Sequence, residues 1–308
     1  MKKSFLMLGV AAMALASCTN EEVLNVAENR AIGFDAFVGK PTKAVMTDEA
    51  FREFSVFGGY EGSLDNVFDN QKVSSTDGTN WTYSPTKYWT EGKTYTFQAY
   101  SPSAAAGSAT ENGVNFSGFV ADGETDLLVS NVATMNGSDA DPISLTFRHI
   151  LSLINFKFST DINGATITIS DLTVNALPNK GIYTNAGNTG TWAVSENGNY
   201  TMTVADGVTI NEPQTSTSAM VLPQTPVEKT IKVTFKVDAT GSIEITNAEH
   251  TVYLPTTALE EGKQYTYTAT ITASNIDPNN PLKEITFNDP TVSDWETPIT
   301  EHPVDTEK

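Results

Sequence analysis

The chain has 308 residues, a formal net charge of −19 at pH 7 and a single cysteine. This length suggests about two domains of ordinary size. The acidic balance argues against a nucleic-acid partner, because phosphate binding requires clustered lysine and arginine. A single cysteine excludes an intrachain disulfide. The acidic residues are scattered singly rather than at the spacing of a ligand loop, so we expect no metal site.

The first predicted element is an export signal at residues 1–17. Lys2 and Lys3 precede an apolar run of about a dozen residues, which is too short to span a bilayer core of roughly 30 Å. The run ends in Leu15-Ala16-Ser17-Cys18, the pattern of a bacterial lipoprotein box. The sequence therefore predicts lipid attachment at Cys18, with several acyl chains tethering the mature protein to a membrane. The alternative is an ordinary signal peptide followed by a chance cysteine.

Residues 18–30 are polar and acidic, and we predict that they form a flexible spacer. From Ile32 onward the dominant pattern is an apolar residue at every second position, which is typical of half-buried strands. The clearest runs are residues 231–237, centred on Phe235, and residues 265–271. Shorter runs occur at residues 95–100, 165–174, 200–204 and 243–246.

Turn signals separate these strands. They are the pairs Asp77-Gly78, Asn112-Gly113, Asp122-Gly123, Asn163-Gly164, Asn197-Gly198 and Asp206-Gly207. No amphipathic helix longer than a turn or two is evident. Many short strands with frequent turns predict an all-β fold of antiparallel sandwiches.

The apolar pattern changes phase once, within residues 143–158. Apolar residues first occupy odd positions and then even ones. Such a shift reverses the buried face, as a bulge or a passage between two sheets would. We therefore place a domain junction near residues 148–152, with an N-terminal β-sandwich at 31–150. A C-terminal β-sandwich with a short polar tail then occupies 151–308.

Signatures of catalysis are scarce. His149, His250 and His302 are far apart and not at metal-ligand spacing, and we expect His149 to be a hydrogen-bonded structural residue. Glu260 and Glu261 would point to opposite faces of a strand, so they are poor acid/base partners. We expect most of the four tryptophans, Trp81, Trp89, Trp192 and Trp295, to pack in the core. The sequence predicts a protein without enzymatic activity or cofactor, although carboxylates from distant segments could still meet as in a secreted hydrolase.

Several stretches, taken in order, resemble the fimbrillin family, in particular its Mfa-like branch of lipoprotein-derived pilus subunits from Bacteroidales-type bacteria. They are residues 17–22 (SCTNEE), 31–34 (AIGF), 81–89 (WTYSPTKYW), 92–102 (GKTYTFQAYSP), 126–129 (DLLV), 145–152 (LTFRHILS), 259–267 (LEEGKQYTY) and 292–295 (VSDW). Together they span nearly the whole chain behind the lipoprotein box.

The resemblance implies two tandem transthyretin-like antiparallel β-sandwich domains, exported as an acylated precursor to the outer membrane. In polymerising members of the family, a protease removes the first strand and an extended strand of the next subunit fills the groove. In this sequence that strand carries four apolar residues in alternation, Ile32, Phe34, Ala36 and Val38.

The sequence offers three basic positions near this strand at which processing could occur, Arg30, Lys43 and Arg52. Family processing is often arginine-specific, but the basic residue just after the first strand is Lys43. The tail at residues 297–308 contains two prolines and is a poor donor strand. Residues 286–295 are a better candidate, or an ordinary final strand.

We therefore expect a surface-exposed outer-membrane lipoprotein that acts as a fimbrial subunit, or as an anchor or tip adhesin, in cell adhesion. Its partners would be other fimbrial subunits, joined head to tail by strand exchange, the outer membrane through the lipid anchor, and a host or bacterial surface receptor. The alternative is a tethered glycan- or ligand-binding lipoprotein that never polymerises.

Overall fold

The computed structural model describes residues 30–39, 51–139, 141–279 and 283–295. Over these ranges the chain is all-β and has no helix, as the sequence predicts, and therefore none that could cross a bilayer. The strands are β1 (Phe34–Val38), β2 (Glu53–Tyr60), β3 (Phe68–Ser74), β4 (Thr94–Ser101), β5 (Gly107–Thr110), β6 (Gly113–Val120), β7 (Leu128–Ser130), β8 (Ala133–Asn136), β9 (Ile143–His149), β10 (Ser152–Thr160), β11 (Ala165–Asn185), β12 (Gly190–Met202), β13 (Gln214–Thr215), β14 (Ala219–Val221), β15 (Lys232–Gly241), β16 (Ile245–Tyr253), β17 (Lys263–Ile271) and β18 (Thr291–Asp294).

These strands form three sheets. The first sheet has the order β1-β9-β7-β4-β2-β3, with β8 also paired to β4. The second has the order β13-β10-β17-β18, with β14 on β10, and the third has the order β16-β15-β11-β6-β5, with β12 on β11. Among the described strands, β1 is the first and therefore lies at an edge of its sheet.

The strands follow the alternating pattern of the sequence. In β15, Val233, Phe235 and Val237 are buried, whereas Lys232 points to solvent and Lys236 forms an ion pair with Asp171. The inward-facing residues of β17 are buried in the same way. Burial of one face accounts for the formation of strands here, because β-branched and aromatic side chains fit a half-buried pleated surface.

The apolar side chains form three clusters. One includes side chains from strands of the first sheet, among them Phe34, Phe54 and Phe97. The largest includes residues of the second and third sheets. A third cluster, which includes Tyr100 and Tyr183, links the first sheet to the third.

The phase change near residues 148–152 is a passage between sheets. Strand β9 ends at His149 in the first sheet, and β10 begins at Ser152 in the second, with Ile150 and Leu151 completely buried between them. The third sheet, however, takes β5 and β6 from before this point and pairs β6 with β11 after it. Two transthyretin-like domains that meet at residues 148–152 remain our proposal for how the sheets are grouped.

One predicted turn is wrong. The glycines of the other five pairs, Gly78, Gly113, Gly123, Gly164 and Gly207, have positive φ angles as turns require. Asn197-Gly198 instead lies within β12, opposite Leu177 and Pro178. Gly198 is needed there for space, since a Cβ atom would lie 2.4 Å from the side-chain nitrogen of Asn179. A glycine selected for close packing looks the same in sequence as one selected for a turn.

Candidate functional site: the edge strand and its groove

The backbone of residues 30–39 is held by two different partners. Residues Phe34–Val38 pair in parallel with β9, from Phe34 opposite Ile143 to Val38 opposite Phe147. Before that, the amide of Ile32 donates to the carbonyl of Lys87 at 2.9 Å, and the amide of Trp89 donates to the carbonyl of Arg30 at 2.9 Å. The segment thus closes one edge of the first sheet.

The side chains of this segment alternate between core and solvent. Ile32, Phe34, Ala36 and Val38 are only 2%, 4%, 6% and 2% exposed, whereas Asp35 points outward. Burying an aliphatic or phenyl side chain of this size stabilises a fold by about 1.5–3 kcal/mol. The segment therefore contributes several kcal/mol to the first sheet although it is only an edge strand.

Four aromatic rings surround Phe34, and we call them the Phe34 pocket. The ring centroids of Phe68, Phe54, Tyr83 and Phe97 lie 5.5, 5.8, 5.8 and 6.1 Å from that of Phe34, all in edge-to-face geometry. Such pairs add about 0.5–1.5 kcal/mol beyond their burial. The hydroxyl of Tyr83 also donates to the carbonyl of Ile32 at 2.6 Å. The pocket thus recognises both a ring and the adjacent backbone.

The predicted processing positions differ in their surroundings. Arg30 is 38% exposed at its side chain and lies 3.6 Å from Glu91. Arg52 directly precedes β2; its guanidinium donates to the carbonyl of Phe51 at 3.0 Å, and its own carbonyl accepts from Ser75. Lys43 lies outside the described residues, as do Cys18, the signal at 1–17, most of the spacer and the whole tail at 297–308.

The last strand, β18, lies on the edge of β17, and its four residues are exposed. It pairs with β17, and Lys263 of β17 forms an ion pair with Asp294 of β18 at 2.5 Å. The Trp295 ring stacks on His149 at 4.2 Å and 13°. Residues 291–294 thus form a final strand of their own chain in this structure.

A polar network joins β9 to the second and third sheets. Arg148 forms an ion pair with Glu261 and donates to the Tyr183 hydroxyl at 2.8 Å. The other carboxylate oxygen of Glu261 accepts from the amide of Gly190 at 2.9 Å. Burial raises the pKa of Glu261, although Arg148 acts in the opposite direction. Sequence reasoning missed this role, because the partners are distant in the chain.

The histidines found in the described ranges have structural surroundings. The Nδ1 atom of His149 lies 2.7 Å from a carboxylate oxygen of Asp126, in agreement with the expected hydrogen-bonded role. His250 is buried, and its Nε2 atom lies 3.1 Å from the carbonyl of Ile276. Among the residues that the structure describes, no group of three or more His, Cys, Asp or Glu side chains could hold a metal ion.

A second concave surface lies on the third sheet. It is an open cleft of about 500 Å³ whose lining includes Trp192, Pro178, Val227, Asn197 and Gln224 but no charged residue. The indole N–H of Trp192 donates to the carbonyl of Ile150 at 2.8 Å, which fixes the orientation of the ring.

Residues 36–295 match the sequence model of the fimbrillin-like family, and the chain belongs to this family. Membership points to a structural protein of the cell surface that interacts with fimbrial subunits. No curated protein matches the chain significantly.

Solved structures share the fold over nearly their whole length. A candidate cell adhesion protein from Bacteroides ovatus has a TM-score of 0.60 at 20% identity, covering 87% of this chain and 98% of its own. A fimbrial protein from Bacteroides vulgatus has a TM-score of 0.59 at 18% identity, covering 87% and 100%. A candidate cell adhesion protein from Bacteroides uniformis has a TM-score of 0.56 at 18% identity, covering 86% and 99%. At these identities the likeness shows the fold alone.

Proposed function

We propose that this protein is a non-enzymatic fimbrial subunit or adhesin that assembles by donor-strand exchange and mediates cell adhesion. The observation that carries the proposal is that β1 lies at an edge of the described sheet and that residues 32–38 place four apolar side chains in the core. An edge strand can leave without breaking a ladder between two other strands. The apolar groove that it vacates is one that a solvated domain does not tolerate empty.

In this proposal, cleavage in the segment between Gly39 and Phe51, which contains Lys43, releases β1. Arg30 and Arg52 are less suitable sites. Cleavage at Arg30 would leave β1 attached, and Arg52 is bonded through its carbonyl to Ser75. An extended segment of a neighbouring subunit then pairs with β9 and fills the groove. Because donor and acceptor surfaces differ, the contact is head to tail and propagates as a filament.

The test compares the chain beginning at Ala44 with the chain beginning at Thr19, by size exclusion and electron microscopy. We expect the longer chain to be monomeric and the shorter chain to form filaments or ladders. A peptide of residues 30–39, added in excess to the shorter chain, should suppress assembly by refilling the groove. A shorter chain that stays a folded monomer at high concentration, with β9 protected in hydrogen exchange, would contradict strand exchange.

We further propose that the precursor is a lipoprotein acylated at Cys18 and carried to the outer membrane. The support is the sequence Leu15-Ala16-Ser17-Cys18 behind a short apolar run. Cys18→Ala should abolish labelling by a palmitate analogue and leave unprocessed precursor, whereas Ser17→Ala should keep both label and processing. Undiminished labelling of Cys18→Ala would refute the assignment.

A second candidate function is a tethered glycan-binding protein that does not polymerise, and the cleft at Trp192 favours it. A fixed indole beside amide side chains, without charge, suits a neutral sugar face. Titration with neutral oligosaccharides, followed by tryptophan fluorescence, tests this idea. Binding that is lost in Trp192→Leu but kept in Trp81→Leu would support it, particularly if the chain from Ala44 remains monomeric.

A further inference from the structure

We infer that the groove that holds β1 selects its strand by side-chain size, accepting an aromatic ring at the Phe34 position and a small side chain at the Ala36 position. This inference rests on the proposed strand exchange and specifies its partner. The occupant is an extended segment of another fimbrial subunit. Its alternate residues are large apolar, aromatic, small and β-branched, as Ile32, Phe34, Ala36 and Val38 are in this chain.

The aromatic requirement follows from the rigidity of the Phe34 pocket. Phe54, Phe68 and Phe97 are completely buried and also contact one another or other rings, so they cannot move inward to fill a void. Residue 58 is a glycine, and a Cβ atom at this position would lie 2.4 Å from the Phe97 ring and 3.2 Å from the Phe68 ring. The pocket is therefore built around a ring, and a smaller residue would leave a cavity.

The requirement for a small residue comes from the next inward position. Ala36 is 6% exposed and lies in register with Leu145, which is completely buried. On the same face, the flanking pairs are Phe34 with Ile143 and Val38 with Phe147, and all four side chains are buried. A longer side chain at position 36 would have to displace this packing. A carboxylate there would lose its hydration without gaining a partner.

One of the chain's own segments, residues 285–291, matches this side-chain pattern only in part. Ile285 and Phe287 have the same spacing as Ile32 and Phe34, but Asp289 would then occupy the Ala36 position. Ile285 and Phe287 are also buried in the largest cluster of their own chain. Residues 285–291 of a second copy are therefore a poor occupant of the groove.

The experiment uses the full mature chain with an engineered protease site between residues 40 and 50. After cleavage, size exclusion measures how long the fragment that carries β1 stays bound. Phe34→Ala should weaken retention by at least about 100-fold, because truncating a buried Phe leaves a cavity that the surrounding rings do not fill. Ala36→Phe should weaken it by at least about tenfold. Asp35→Ala, on the exposed face of the same strand, should stay within about threefold.

Added wild-type peptide of residues 30–39 should replace the Phe34→Ala fragment, which would show that the groove itself is intact. A peptide of residues 283–292 should compete at least about tenfold less well than the 30–39 peptide. Equal retention of the Phe34→Ala and Asp35→Ala fragments, or failure of the wild-type peptide to replace the former, would overturn size selection. Equal competition by residues 283–292 would overturn the requirement for a small side chain at the Ala36 position. Retention is measured on single chains, so its outcome is independent of whether truncated chains form filaments.

Discussion

Replacing Phe235 with alanine tests whether the second and third sheets share one tightly packed core. Phe235 lies in the middle of β15 and is 2% exposed. Its ring centroid is 5.3 Å from that of Phe158, 5.5 Å from His250 and 6.3 Å from Phe287. Truncation removes the burial of a phenyl ring and leaves a cavity that these flat neighbours cannot close. We therefore expect the free energy of unfolding to fall by about 3–5 kcal/mol.

The matched control is Lys236→Ala, one residue along the same strand. The Lys236 side chain points outward and forms an ion pair with the exposed carboxylate of Asp171 at 2.9 Å. A surface pair of this kind contributes little, so the control should melt close to wild type. Denaturant unfolding followed by circular dichroism compares the three chains. Similar losses at both positions would show that the assignment of the two faces of β15 is wrong.

The remaining predictions concern the network at Arg148, the buried His250 and the hydroxyl of Tyr83. Glu261→Gln leaves the half-buried Arg148 without its counter-charge and should lower the free energy of unfolding by about 1–3 kcal/mol in denaturant melts. Glu260→Gln should leave the free energy of unfolding unchanged. Equal effects of the two substitutions would exclude a specific Arg148–Glu261 pair. Burial lowers the pKa of His250 from its usual 6.5. Folding therefore favours the neutral form of His250, and the stability that this group contributes is complete above pH 6.5 and is lost as the pH falls below 6.5 toward the lowered pKa. His250→Gln should therefore flatten the pH dependence of the melting midpoint below pH 6.5. Tyr83→Phe keeps the ring but removes the hydrogen bond to Ile32, costing about 1 kcal/mol, and should speed hydrogen exchange of residues 30–39 while leaving β15 unchanged.

Local patterns in the sequence predicted the class of fold and the faces of individual strands. Alternation alone indicated that Phe235 is inward and Lys236 outward, and the same reasoning assigned one face of residues 32–38. It succeeds because a strand has a period of two, so one buried face determines the identity of every second residue. The same period of two predicted the change of buried face before β10.

The sequence does not predict which residues distant in the chain become neighbours in the fold. The alternation at residues 165–174 predicts a short strand, but β11 continues to Asn185 because it exchanges one set of neighbouring strands for another along its length. Arg148 and Glu261 are 113 residues apart, and nothing near either one indicates the other. Pairing across such distances depends on which surfaces meet in the folded chain, and a single sequence carries no local trace of it.

The groove itself combines both kinds of information. Alternation marks residues 32–38 as a strand with one apolar face, but only the fold places that strand at an edge, in parallel with β9 and against four aromatic rings. Because β1 pairs with β9 alone among the described strands, its departure leaves the rest of the described sheet connected. Because burial of its side chains contributes several kcal/mol, the proposed strand exchange would regain this energy when an equivalent apolar segment of another subunit binds in the groove. An internal strand would be too costly to remove and a polar edge strand would leave nothing to recover, so an apolar edge strand is the arrangement in which removal can drive assembly.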